Sequence, residues 1–398
     1  MSEHPPLHGI RVIEFSHVVM GPSAGLVLAD LGADVIKVEQ PGEGDNTRRM
    51  VGSGAGFFPL YNRNKRSIML DLKSPDGLAF ARRLIKGADV LMENFRPGGL
   101  EKAGLSYETL RADNPGLIYC ALKGFLSGPY QNRAALDEVV QMMGGMAYMT
   151  GPPGQPTRAG ASINDILGGM FGVVGILAAL HERKSTGLGQ MVKSALFEAN
   201  VFLMAQHMTQ YKVTGTPAAP MPARLAAFAI YDVFATGDGQ HAFVGVVTDT
   251  HWKSFCAEFD LPELYADPSL ATNLLRVASR DRLHRALREL FLGLPRDEII
   301  ARCAKADVAY APITRPEELF DDPHLAHPGA MVEVTLPDGR ACPVPALPLE
   351  MNGRRLGVRH DVPRAGQHSA AVAREIGYEQ PWIDELIAQG VLGTGAAK

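Results

Sequence analysis

The chain has 398 residues, 46% hydrophobic and 21% charged, an ordinary globular composition with capacity for a large buried core. Its formal net charge of −4 provides no basic field to draw nucleic acid. The four cysteines fall singly at 120, 256, 303 and 342 without a CxxC pair, which argues against disulfides and zinc and for buried thiols in a reducing compartment. At the N-terminus, MSEHPPLHG has no basic stretch ahead of an apolar one, so no signal peptide is expected and the expected location is the cytoplasm.

Residues 10–15 (IRVIEF) are short, apolar and β-branched, and predict a buried strand. A turn at Gly21-Pro22 is expected next, followed by a helix over AGLVLADLGA and a second strand over 35–39 (VIKVE). The alternation continues with strand SIMLDL, helix DGLAFARRLIKGA, strand VLMEN, helix YETLRADN and strand LIYCAL. This pattern predicts parallel βαβ units wound into one sheet, with ligands at the strand ends. Residues 165–183 are strongly helical, and Gly187 and Gly189 end that stretch. Its uncharged apolar run, 166–180, is 15 residues long, short of a bilayer span. A further helix is expected from near Ser194. Gly215, Pro217, Pro220 and Pro222 mark a linker. Beyond it, IYDVFATGDGQHAFVGVV predicts a hairpin about Gly237-Asp238-Gly239, opening a second, smaller domain that is helical to about residue 305. Short strands around a Pro-Asp-Gly turn at 331–350 and a tail helix containing Trp382 complete the chain.

Gly21-Pro22-Ser23-Ala24-Gly25 matches GxSxG, the nucleophile elbow of α/β-hydrolases, but the context is wrong. Only one strand precedes it, and five residues separate that strand from Gly21, where an elbow needs a tight turn. After the first strand the chain reads SHVVMGPSAG, without the GxGxxG of dinucleotide enzymes; GxxxxGK[ST] and HExxH are also missing. Basic residues cluster in the N-terminal third at Lys37, Arg48, Arg49, Arg63, Lys65, Arg66, Arg96, Lys102 and Lys123. Several follow predicted strands, where they could bind phosphates; the alternative is a solvated charged surface. Asp165 opens the long apolar helix. An acidic residue there suits a plain helix start, and the same dipole would keep a nucleophilic carboxylate ionised. Gly168, Gly169, Gly172 and Gly175 on that helix allow close approach by a ligand or by a packed neighbour.

The stretches LHGIRVIEFSHVVMGPSAG, LADLGADVIKVEQPGEGDNTR, YNRNKRSIMLDL, ADVLMENFRPGGLEKAGLSYETL, NPGLIYCALKGF and INDILGGMFGVVGILAALHERKSTGLGQ occur in this order. With ATGDG and YAPITRPEELFDDPHL in the second half, the chain resembles the class III CoA-transferase family nearly end to end. The resemblance implies an α/β protein with a Rossmann-like large domain built from both chain ends around a parallel sheet, a smaller α+β domain, and two copies interlocked like chain links. The expected bounds are 1–211 with 326–398 for the large domain, 212–230 for the linker and 231–325 for the small domain.

The implied activity is transfer of CoA from an acyl-CoA donor such as succinyl-CoA to a carboxylic acid, through aspartyl anhydride and aspartyl-CoA thioester intermediates. Asp165 falls at the nucleophile position. CoA contacts are implied at Val18, Gln40, Asn64, Lys65, Asn94, Phe95 and Lys102. Gln40 departs from members that carry arginine there, and the Gly-rich loop of the oxalate enzymes is not apparent. His17 and Asp137 are candidate substrate contacts, and Arg48, Arg158 and Arg224 are candidates for pairing a second carboxylate. The partners expected are acyl-CoA thioesters, small carboxylic acids and a second copy of the chain, with no metal, nucleic acid or membrane. Two other readings stay open, a CoA-binding protein without chemistry and an α-methylacyl-CoA racemase. The racemases use a His and an Asp as acid–base pair; here Leu136 precedes Asp137, and no histidine occurs between 130 and 164.

Overall fold

The computed structural model describes residues 4–224 and 227–395. It forms two compact units, Met1–Pro222 with His327–Lys398, and Ala223–Ala326. In the larger unit the chain runs through β1 (Arg11–Phe15), α1 (Met20–Asp30), β2 (Asp34–Glu39), α2 (Phe57–Tyr61) and β3 (Lys65–Leu70). It continues through α3 (Pro75–Lys86), β4 (Val90–Glu93), α4 (Gly99–Lys102), α5 (Tyr107–Asp113) and β5 (Ile118–Lys123). Then come α6 (Asp137–Met143), α7 (Met146–Thr150), α8 (Ile163–Thr186), β6 (Met191–Ala195) and α9 (Leu196–Thr214).

Local chemistry accounts for these elements. The amphipathic helix α3 starts with Pro75 in its first turn, where the missing N–H costs nothing, and buries Phe80, Ala81, Leu84 and Ile85. α1 begins at Met20, so Gly21 and Pro22 lie in its first turn and not in the turn expected from sequence. First-turn amides have no intrahelical acceptor, and a proline there breaks no bond.

The six parallel strands lie in the order β3-β2-β1-β4-β5-β6, with a short strand, Leu392–Gly393, antiparallel on the outer edge of β3. The connection order reverses between β1 and β4, and ligands bind such sheets in the crevice beyond the strand ends at that point. Alternation along the strands makes two cores. Ile13, Phe15, Ile36 and Leu91 pack with α3 and the C-terminal helices, and Val12, Val35, Val90 and Met92 pack with α1 and α8. β6 was not foreseen. Its residues, MVKSA, are only half apolar because it is an edge strand.

α8 extends beyond the apolar run seen in the sequence. At 24 residues it has the length and composition of a membrane span, yet its glycine face is packed against α1, β5 and β6, as in a core helix. α9 continues to Thr214, where Gly215 at φ +71° ends it, so the first residues of the expected linker are helical.

The smaller unit holds an antiparallel sheet of β7 (Ile230–Ala235), β8 (His241–Val246) and β9 (Ala309–Pro312). The β7–β8 hairpin turns at Gly237–Gly239, with Gly239 at φ +75°. Helices Asp249–Glu258, Arg280–Leu292 and Arg296–Lys305 cover one face around Trp252, Phe255, Phe259 and Phe291.

Candidate active site

The segment leaving β1 carries a strained residue. Val18 has φ +64°, a left-handed conformation that a β-branched side chain rarely adopts and that costs on the order of 1–3 kcal/mol. The surroundings hold it. The Val18 amide donates to Thr47 Oγ1 at 2.9 Å, and Thr47 is fixed by Asp45. Asn94, just beyond β4, accepts from the His17 amide at 3.0 Å and donates to the His17 carbonyl at 2.8 Å. The His17 ring stacks on Phe95 at 5.6 Å. Surrounding protein holds the imidazole below its ordinary pKa, with Asp45 opposing and Lys37 reinforcing, so His17 is mainly neutral at pH 7. Gln40 follows β2 and donates to Gly44 O and Asn46 Oδ1. Lys102 ends α4 and is exposed. Val18, Gln40, Asn94, Phe95 and Lys102 thus follow the C-terminal ends of β1, β2 and β4.

Asn64 and Lys65 do not. Asn64 immediately precedes β3 and Lys65 opens it, at 2% and 0% exposure, at the opposite end of the strand from its C-terminus. Asn64 binds Asp30 Oδ1 at 2.7 Å and accepts from the amides of Arg359 and His360. The Lys65 ammonium pairs with Glu14 Oε2 at 2.8 Å and donates to Pro22 O. Burial depresses the Lys65 pKa to about 8, with Glu14 opposing. Through Glu14, Lys37 and Asp45 this buried ion chain reaches Thr47, the acceptor for Val18. Lys65 therefore supports the site from beneath and does not face a ligand.

Arg63 is likewise buried against Asp30 at 2.7 Å. Arg48 is taken by Glu39 at 2.6 Å and lies over the Phe58 ring, so it is not open to a second carboxylate. Replacing Lys65 with Met leaves Glu14 with less compensation and should cost about 3 kcal/mol of stability, read from the urea midpoint. The folded variant should keep its KM for acyl-CoA; a large rise in KM without loss of stability would restore Lys65 as a ligand contact.

Asp165 lies in the first turn of α8, half-buried. Its helix rests on α1 at very short range. A Cβ on Gly169 would lie 2.6 Å from Ser23 Oγ and 2.7 Å from Met20 O, and one on Gly168 2.6 Å from Met20 Cε. The glycines thus serve helix packing, and that packing carries Asp165 to the segment that bears Val18. Its carboxylate has no hydrogen-bond partner among the described residues, so Asp165 is not a cap.

The cap is Asp137. Its Oδ2 accepts from the Asn164 amide at 2.7 Å and the Asp165 amide at 3.0 Å. Asp137 is buried with both oxygens engaged, which corrects its reading as a substrate contact. It also corrects the expected charge state of Asp165. The Asn164 and Asp165 amides serve Asp137, while burial, followed by the charge of Asp137, pushes the Asp165 carboxyl up to about 7. Tyr61 is a further neighbour of Asp165, one that no motif singles out. Burial and the charge of Asp165 raise its phenol pKa. Arg158, in the segment before α8, is ion-paired with Glu138, and Arg224 lies in the smaller unit. No group of three or more His, Cys, Asp or Glu among the described residues is placed to hold a metal.

Fold and site define a class, an α/β enzyme with a poised carboxylate beside the switch point of a Rossmann-ordered sheet. The chain belongs to CoA-transferase family III, whose family model matches residues 7–369, and is a class III acyl-CoA:carboxylate CoA-transferase. It is 38% identical to a succinate–glutarate CoA-transferase of Agrobacterium fabrum over 94% of this chain and 96% of that one. It is 31% identical to a human succinyl-CoA:glutarate CoA-transferase over 98% and 91%. The crystal structure of a CaiB/BaiF family protein from Brucella suis superposes with a TM-score of 0.85 at 35% identity, over 94% of this chain and all of that one.

Proposed function

We propose that this enzyme moves CoA from succinyl-CoA to a second carboxylic acid, with Asp165 as covalent carrier. The observation that carries the reading is the Asp165 carboxylate itself, without a hydrogen-bond partner among the described residues and with its pKa pushed up to about 7 at the packed N-terminus of α8. A carboxylate of raised pKa is a stronger nucleophile than an ordinary aspartate. An Asp165 oxygen attacks the thioester carbonyl, the C–S bond breaks, and a mixed anhydride and CoA thiolate result. The thiolate attacks the aspartyl carbonyl, frees the donor acid and leaves an aspartyl-CoA thioester. The acceptor carboxylate attacks that thioester and releases thiolate, which then attacks the acceptor's acyl carbon and restores Asp165. No net proton is taken up, and the bond energy of the thioester is kept from water.

The donor is inferred from relatives named for succinyl-CoA with glutarate, D-citramalate or mesaconate. These names differ in the acceptor and share dicarboxylate chemistry. CoA is assigned to the crevice beyond β1, β2 and β4. The four free thiols fit a reducing cytoplasmic compartment. A second copy is proposed to cover α8 and α9. Val174 on α8 and Phe202, Met208 and Val213 on α9 are more than half exposed, and large apolar side chains left open on two helices in contact suit an interface.

The test combines acyl-group exchange with mass analysis. Purified protein should exchange CoA between succinyl-CoA and dicarboxylic acids, sediment as a dimer and carry a CoA adduct on Asp165 when quenched. Adduct formation should rise with pH through an inflection near 7, because the ionised form attacks. Exchange without an adduct would overturn the covalent mechanism, and α-proton exchange without an acceptor acid would instead favour the racemase.

A further inference from the structure

We propose that Asp137 is the positioning residue for the nucleophile, a carboxylate from α6 that caps α8 from outside and fixes the Asp165 backbone while keeping the helix amides from the Asp165 carboxylate. The proposal rests on Asp165 being the attacking group. A helix start leaves its first amides without acceptors, and a Ser at the N-cap usually supplies one. Ser162 occupies that position in α8 and makes no capping bond. Asp137 does the work from a neighbouring helix, with one oxygen accepting from both Asn164 and Asp165.

The cap is itself held on every side. Its other oxygen accepts from Gln141 Nε2 at 2.5 Å, one turn along α6. Gln141 Oε1 accepts from the Ala159 amide at 2.8 Å, in the segment that leads into α8. Asn200 of α9 donates to Asn164 Oδ1 at 3.2 Å. Asp137, Gln141, Asn164 and Asn200 are all buried. Asn200 Oδ1 is the one polar atom of these four side chains left without a partner among the described residues, and the bonds that are made tie α6, α8, α9 and the preceding segment together.

The arrangement has an electrostatic consequence. With the Asn164 and Asp165 amides committed to Asp137, these two donors are not offered to the Asp165 carboxylate. Asp137 on α6 is the one charged group that acts on Asp165 among the described residues, and Tyr61 on α2 is its other titratable neighbour. A like charge at short range and partial burial both make Asp165 more basic. Asp137 thus contributes geometry and nucleophilicity together.

The test compares wild type with Asp137→Asn, Asp137→Ala and Gln141→Ala. It measures kcat, KM for acyl-CoA and the rate of CoA-adduct formation at Asp165 from about pH 5 to about pH 9. Asp137→Asn keeps an accepting oxygen and removes the charge. Its inflection should move to lower pH by on the order of one unit, with kcat within about tenfold of wild type. Asp137→Ala removes both and should lower kcat by on the order of 100-fold with KM nearly unchanged, because a misplaced nucleophile loses rate and not ground-state binding. Gln141→Ala should fall between, and with Asp137→Asn it decides the matter if Asp137→Ala does not fold. An unmoved inflection in Asp137→Asn, equal kcat in the Asn and Ala variants, or a loss confined to KM would overturn the proposal. Transfer by wild type with no adduct at Asp165 would remove the nucleophile and the proposal with it. That result is distinct from an Asp165 adduct whose pH dependence ignores Asp137.

Discussion

Asp165→Ala should lower kcat for CoA transfer by on the order of 10⁴-fold or more, because a covalent route without its nucleophile has no substitute path. Binding of CoA should change little, since the residues assigned to it follow β1, β2 and β4. Asp165→Asn should be equally inactive, because an amide oxygen does not open a thioester, and it should also be more stable than wild type. The Asp165 pKa is raised from 3.8 in the unfolded chain to about 7 in the native state. Between those values the native protein holds a proton that the unfolded chain has lost, so this group's contribution to stability falls as pH rises across that window. Above pH 7 the full cost is present, and Asn escapes it. Allowing for the partial exposure of Asp165, the gain should be on the order of 2 kcal/mol at pH 8, fading as pH falls toward 4. Parallel thermal melts of the two proteins at several pH values measure it. A constant difference across pH would mean that Asp165 is not the titrating group.

Such a trade of stability for reactivity was only half visible in the sequence. The helix start at Asp165 was legible, since apolar residues and glycines follow it without a break. Its charge state was not, because the group that commands the helix amides is Asp137, in a different helix. The same limit applies to the basic residues. Lys37, Arg63 and Lys65 stand out by type, but their partners Glu14, Asp30 and Asp45 lie in other elements, and only the packed sheet shows that these charges neutralise one another in the interior. Strands β1 to β5 were readable because each is a run of β-branched and apolar residues with burial on both faces. β6 was not, because Lys193 faces outward on an edge strand. Tyr61 lies in an aromatic run, FFPLY, that reads as ordinary core, and nothing local singles out its hydroxyl.

Gly169→Val should disable the enzyme without touching any reacting atom. The added Cβ would have to share space with the Met20 carbonyl and the Ser23 hydroxyl, 2.7 and 2.6 Å away, and the carbonyl belongs to α1 and cannot swing aside. The remedy left to the protein is to separate α8 from α1. That separation unpacks the core around Ala24, Val173 and Ile176 and should cost about 2–4 kcal/mol, seen as a lower denaturant midpoint. It also draws the start of α8 away from the Val18 segment, and a displacement of about 1 Å is enough to reduce kcat on the order of 100-fold. Gly160→Ala is the matched control. It lies just before α8, its Cβ would meet nothing within 4 Å, and both stability and rate should stay close to wild type. If Gly169→Val kept full activity at a temperature where it remains folded, close α1–α8 contact would not be what places Asp165. The cap from α6 would then have to do so alone.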